Sequence, residues 1–260
     1  MIASLPMYDR PETRAAWNTL WSAATKEYRR RQKTARQTLP DLPDALSWDA
    51  NEADHWLRDD LVLSQTCSLP YRTRLHGKVT YLGTFDFALP GCAPGYYASV
   101  LVMRRDDMRH DPQNWPSLTL AYNAPDSQSG WAAPYFHLEA RGLAFSNGVE
   151  TGAHSASAKA VAEGQADIAA IDAQTFRLLR RYEPFMDRLV EIGQTDPTPG
   201  LPLITRPGWD ASTFWASLSQ AIRDMPGSDR ATLDLNGVTA CRVERYSELP
   251  VPPPPEAVFA

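Results

Sequence analysis

The sequence predicts an α/β protein of two lobes, each built on a mainly parallel sheet flanked by helices. Three observations carry this prediction. Apolar runs of strand length alternate with segments of helical periodicity along most of the chain, the order that gives sheets covered by helices. Two strong apolar runs, around Val100 and Val190, bracket a compact strand–helix–strand–helix block, as two crossover strands around an inserted lobe would. Within that block, three strand ends run directly into helix starts that carry Ser, His and Asp. The expected boundaries are 1–97 with 190–260 for the first lobe and 98–189 for the inserted one.

The bulk properties narrow the function classes. With 260 residues the chain can bury a large core, and 43% hydrophobic with 22% charged residues is ordinary globular composition. A formal net charge of −5 disfavours a general nucleic-acid or membrane-surface role. An anionic ligand would have to be held locally, by dipoles and N–H groups. No stretch approaches the ~18–20 apolar residues needed to span a bilayer. The first nine residues are strand-like, without a basic region followed by an apolar one. As read, this points to a cytoplasmic protein or to a signal lost from the gene model. Cys67, Cys92 and Cys241 are too few and scattered for a disulfide scaffold or a zinc site. A Cys67–Cys92 bridge would need an oxidising compartment, and three partly buried thiols is the reading favoured in the cytosol. His55, His76, His110, His137 and His154 lie too far apart in sequence for metal spacing, and no cofactor is expected.

In chain order, residues 2–8 read as a first strand, and Asp9 to Pro11 as a helix start. Trp17, Leu20, Trp21, Ala24 and Tyr28 then mark an amphipathic helix to about Arg31. Its basic end (Lys26, Arg29, Arg30, Arg31, Lys33, Arg36) suits a helix C-terminus and a solvated face. A turn-rich connection at 39–43 and a short helix over 49–59, burying Ala53, Trp56 and Leu57, follow. Strands are expected at 61–67, 79–85, 96–103, 118–122, 190–195 and 203–205, with a polar surface connection at 104–116. Asp210 caps a last helix whose stripe is Phe214, Trp215, Leu218, Ala221, Ile222 and Met225, stopped by Pro226 and Gly227. The proline-rich tail at 250–255 reads as extended and surface-lying.

The chemistry is concentrated at the three corners. After the strand at 118–122, a Pro-Asp-Ser turn leads to Ser127, Gln128, Ser129 and Gly130. Residues 151–157, with His154 and Ser155, repeat the pattern, and Asp172 opens the third helix. A strand that delivers hydroxyls to a helix N-terminus makes an anion site, because unpaired N–H groups and the positive dipole end converge there. Each residue also has a bland role. Ser127 and Ser129 serve equally as caps, His154 as a surface-loop histidine, and Asp172 as the cap of the helix carrying Phe176 and Leu179. A carboxylate beside a bound anion repels it unless the ligand offers a donor, such as a protonated oxygen or an amino group. Tyr8, Gln65 and Tyr97 read as core or as ligand contacts.

Several motifs occur together in a fixed order: LSQTC at 63–67, PGC at 90–92, YASVLV at 97–102, NAPDSQSG at 123–130, GAHSA at 152–156, ADIAAID at 166–172 and PGLP at 199–202. This set resembles the phosphate/phosphite/phosphonate-binding proteins of ABC importers, which have the type II periplasmic-binding-protein fold. The resemblance covers the chain from Ile2 to about Thr205. It implies two lobes, joined by crossover strands, that close on a small tetrahedral anion by hinge bending. By position it implies that Ser127, Gln128 and Ser129 hold ligand oxygens, with Gly130 and Ser155 beside them, His154 and Asp172 completing the site, and Tyr8 reaching in from the first lobe. It further implies a periplasmic location, an ABC permease as partner, and a monomer that binds a small oxyanion without chemistry. Two alternatives stand beside this: a cytoplasmic ligand sensor of the same fold, and an enzyme using Cys67, His154 or Asp172.

Overall fold

Two five-stranded sheets organise the chain in a computed structural model, which describes residues 1–35, 42–48 and 55–259. They belong to two compact units, one made of residues 1–95 and 199–248, the other of 96–198 and 249–260.

In the first unit the strand order is Ile2–Ala3, Leu61–Gln65, Pro202–Thr205, Thr80–Asp86, Gly237–Thr239. Leu61–Gln65 is buried along its whole length and runs parallel only to Ile2–Ala3. The expected first strand is shorter than 2–8, because Pro6 removes a ladder donor and opens a 3₁₀ turn over Pro6–Tyr8. The amphipathic helix is Arg14–Thr34, with Trp17, Leu20, Trp21, Ala24 and Tyr28 all buried. Trp21 and Tyr28 pack on Phe214 of the helix Ala211–Asp224, at ring distances of 6.1 and 5.5 Å. Asp210 caps that helix by accepting from the Thr213 N–H at 3.1 Å. The basic end of the long helix is a salt-bridged face, with Glu27 held by Arg30 and Arg31 at 2.7 and 2.8 Å. Of the expected connection at 39–43, residues 39–41 lie outside the described residues. So do Arg36 and residues 49–54 of the expected short helix, Ala53 included. Beyond them Trp56 is buried, but Leu57 is exposed.

In the second unit the order is Asn147–Glu150, Thr119–Tyr122, Ile168–Asp172, Ser99–Arg104, Leu189–Gln194. The first three strands are mutually parallel, and the last two pair antiparallel to their neighbours. Leu101, Met103, Trp115, Leu120, Trp131 and Ile168 form the core over this sheet. Where the chain passes between units, Tyr96–Tyr97 and Thr198–Pro199 form a separate two-stranded pair.

Three expectations are corrected. The sheets are mixed rather than mainly parallel, because strands arriving from a crossing (Ser99–Arg104, Pro202–Thr205) enter against the direction of their neighbours. The second unit extends to residue 198, not 189, since Leu189–Gln194 completes its sheet. The tail, expected in the first lobe and on the surface, folds onto the second unit with Pro252 and Pro255 buried and Val258 and Phe259 packed on its core. The segment 104–116 is also more than a surface connection. It buries Trp115 and anchors Asp107 and Asp167 to Arg109 at 2.6 and 2.7 Å. Helix Gly227–Leu233 carries no apolar pattern and was not expected, and the strand ahead of the second corner, Asn147–Glu150, is an edge strand without apolar alternation whose bounds the sequence does not give. No helix of the described residues is long and apolar enough to cross a membrane.

Candidate anion-binding site

The three parallel strands of the second unit end side by side at one edge of its sheet, and each end opens one of the corners. This is the edge at which open α/β sheets bind ligands.

The first corner follows Tyr122. The Ser127 N–H donates to the Ala124 carbonyl at 3.1 Å, closing the turn over Pro125 and Asp126. Ser127 Oγ then accepts from the Gly130 N–H at 2.9 Å, and its carbonyl accepts from the Ala132 N–H at 3.0 Å. Residues Gln128–Ala132 therefore form one wide π-type turn, continued by the helix Ala133–Glu139. Such turns recur at functional sites because they re-aim side chains. A Cβ at Gly130 would overlap Asn123 Oδ1, so a larger residue here would need that side chain to move. Ser127, Gln128 and Ser129 are all at most 4% exposed.

The second corner follows Glu150. Thr151 ties it to the first, its N–H and hydroxyl both donating to the Tyr122 carbonyl at 2.9 and 3.0 Å. Gly152, at φ +84°, supplies the left-handed turn before the helix His154–Ala162. Thr151 and Ser157 share a hydroxyl–hydroxyl bond of 2.6 Å, and Ala153 offers that helix no side-chain cap. At the third corner Asp172, 3% exposed, accepts from the Thr175 N–H at 2.8 Å and caps Ala173–Tyr182.

Two bonds join these corners. Ser129 Oγ lies 2.8 Å from His154 Nε2. Ser99 Oγ donates to the Ser129 carbonyl at 2.9 Å, and Ser99 stands opposite Asp172 in the sheet register. Ser127 and Asp172 thus fill the capping roles, and Ser127 still has a hydroxyl proton to donate. Ser155 is exposed in the first turn of its helix, off the Ser129–His154 contact. Ser99 escaped sequence reasoning, while Thr151 and Ser157 fall inside the expected second corner but were not among the expected ligand contacts. The signal for Ser99 was a lone hydroxyl inside an apolar strand.

Burial pulls the His154 imidazole down to about 4, because desolvation disfavours the cation; the Ala170 backbone offsets part of that shift. Nδ1 is shut off from solvent and makes no well-formed hydrogen bond among the described residues. The ring is neutral at neutral pH, and no Lys or Arg stands among the predicted site residues. What this edge offers an anion is N–H groups, hydroxyls and an amide, with Asp172 as a potential proton acceptor.

The remaining candidates divide between the two units. Tyr8 belongs to the first unit, where it is buried and meets Phe87 edge-on at 5.0 Å. Gln65 and Cys67 are also in the first unit, while Tyr97, His154 and Asp172 are in the second. Gln65 is 1% exposed, and neither of its amide atoms has a partner among the described residues. None of the three cysteines is in a disulfide.

Residues 89–246 match the family model of the ABC transporter phosphonate periplasmic substrate-binding proteins. The chain belongs to this family. It is accordingly a solute-binding protein with the two-lobed periplasmic-binding-protein fold. Among solved structures it is similar to XAC2383 from Xanthomonas citri bound to chloride ion, at 18% identity over 95% of each chain and a TM-score of 0.68. PhnD1 from Prochlorococcus marinus, in complex with methylphosphonate, matches at 14% identity over 94% of each chain with a TM-score of 0.67. PA3383 from Pseudomonas aeruginosa, a binding-protein component of an ABC phosphonate transporter, matches at 18% identity with a TM-score of 0.62, over 94% of this chain and 82% of that one. No curated protein matches in sequence.

Proposed function

We propose that this phosphonate-family protein captures a small oxyanion (phosphate, phosphite or a phosphonate) at the corner cluster of its second unit and delivers it to an ABC permease from the periplasm. The observation that carries the reading is the Ser129–His154 bond, which joins two strand-end corners into one polar edge. Ser127, Gln128 and Ser129 supply hydroxyl and amide groups, Gly130 lets the turn close, and Ser155 flanks His154. Binding without chemistry follows the family's role. Ser127, Gln128 and Ser129 are desolvated, so a ligand that satisfies them gains more than water would return.

A fully ionised phosphonate beside the Asp172 carboxylate is repelled unless the ligand offers that group a donor. A singly protonated oxyanion brings its own O–H donor for Asp172. Affinity is therefore expected to fall as pH rises through the ligand's second ionisation, about 6 for a phosphate monoester. Asp172→Asn should flatten that fall, as read by calorimetry at several pH values. The PhnD1 complex makes methylphosphonate the first ligand to try, and the XAC2383 complexes with chloride and ATP add those two to a panel with phosphate, phosphite and aminoalkylphosphonates. The decisive experiment is ligand-dependent thermal shift without turnover, lost in the Ser127→Ala, Ser129→Ala double variant. An unchanged shift in that variant sinks the corner assignment.

A further inference from the structure

The tail of the chain meets the back of both corners. Trp131 sits inside the wide turn, directly after Gly130, and is 1% exposed. Its indole N–H donates to the Pro253 carbonyl at 3.0 Å. The Phe259 ring packs on Trp131 at 5.4 Å and 71°, and on Tyr122 at 6.1 Å and 37°. It also covers Gly148 so closely that a Cβ there would overlap the ring. These three contacts fall on distinct parts of the edge. Trp131 belongs to the first turn, Gly148 to the strand that feeds the second corner, and Tyr122 carries the carbonyl that holds Thr151. Prolines at 250 and 252–255 restrict the backbone that leads to Phe259, so little conformational freedom is lost in docking it.

We propose that the C-terminal segment 253–259 is a positioning element for the anion edge, with Phe259 setting the spacing of the two corners through Trp131, Tyr122 and Gly148. Nothing in the tail touches the ligand in this scheme. Its effect reaches the site through the 2.8 Å Ser129–His154 contact, whose two halves ride on the two corners Phe259 clamps. The inference rests on the anion-binding reading for its consequence, but not for its geometry.

The test uses the full chain and two independent variants. Phe259→Ala removes the ring, while Gly148→Ala leaves the tail intact and pushes the ring off its seat. Each is expected to weaken methylphosphonate by about tenfold in calorimetry and to shift the His154 ring resonance of the ligand-free protein, assigned by its loss in His154→Gln. Phe259→Leu should bind nearly as the parent does. Added to Gly148→Ala, its smaller side chain should recover most of the affinity. A merely structural tail would lower the melting temperature of both variants yet leave affinity and the His154 resonance as in the parent, and that result overturns the proposal. Should the parent bind no anion on the panel, the anion reading fails; the His154 resonance in the ligand-free variants still decides the positioning role.

Discussion

His154 shows most directly how burial sets chemistry at a single residue. Its folded-state value, about 4, lies below the roughly 6.5 of an exposed histidine. Between those values the unfolded chain takes up the proton first, so the contribution of this residue to stability is present above about 6.5 and is lost as pH falls toward 4. Denaturant unfolding across that window should show a stability loss that His154→Gln reduces; equal slopes in parent and variant would contradict the assignment. Ser127 and Asp172 carry a second lesson at this scale. Their capping roles and their candidate binding roles were both legible, because the same short polar side chains serve both. Ser99 was not legible. Its partner, the Ser129 carbonyl, is thirty residues away in the wide turn, and only the tertiary fold brings the two together.

At the scale of elements, the wide turn Gln128–Ala132 is the piece on which the edge depends. Periodicity announced a helix start there but not its pitch, which is fixed by how closely Gly130 approaches Asn123. Gly130→Ala should cost about 1–3 kcal/mol as an overpacked position and weaken anion binding as well. Wild-type stability and affinity in that variant would show that the turn has slack. The helices Arg14–Thr34 and Ala211–Asp224 were readable, the first to within about a turn at each end, because their apolar stripes repeat over several turns and each face is buried. Strand direction was not readable. Alternating strands and helices imply parallel neighbours, whereas a strand that returns from a crossing enters its sheet wherever an open ladder remains, as Pro202–Thr205 does between Leu61–Gln65 and Thr80–Asp86. The edge strand Asn147–Glu150, mostly exposed, offered no apolar alternation to find.

For the whole molecule, the net charge of −5 opposes an incoming anion at long range, so the proposed site would have to hold it by local dipoles. Association should therefore speed up modestly as salt is raised to about 0.1 M, where the screening length is roughly 10 Å. Stopped-flow rates that fall with salt would reveal an attractive field that this composition does not supply. The apolar runs around Val100 and Val190 suggest two lobes, but both strands belong to the second unit's sheet and do not mark its ends. The fate of the tail was not legible either, since a run of prolines reads as solvent-exposed in isolation, whereas Trp131 and Tyr122 help give Phe259 a seat. The tail makes the second unit a discontinuous piece of chain, 96–198 with 249–260. Dissection experiments must respect that. A fragment cut at 96 and 198 would carry all three corners yet expose the Trp131 face that Pro253 and Phe259 cover. Joining Thr198 directly to Leu249 would put every component of the edge on a single uninterrupted polypeptide, the form in which its anion affinity could be measured in isolation.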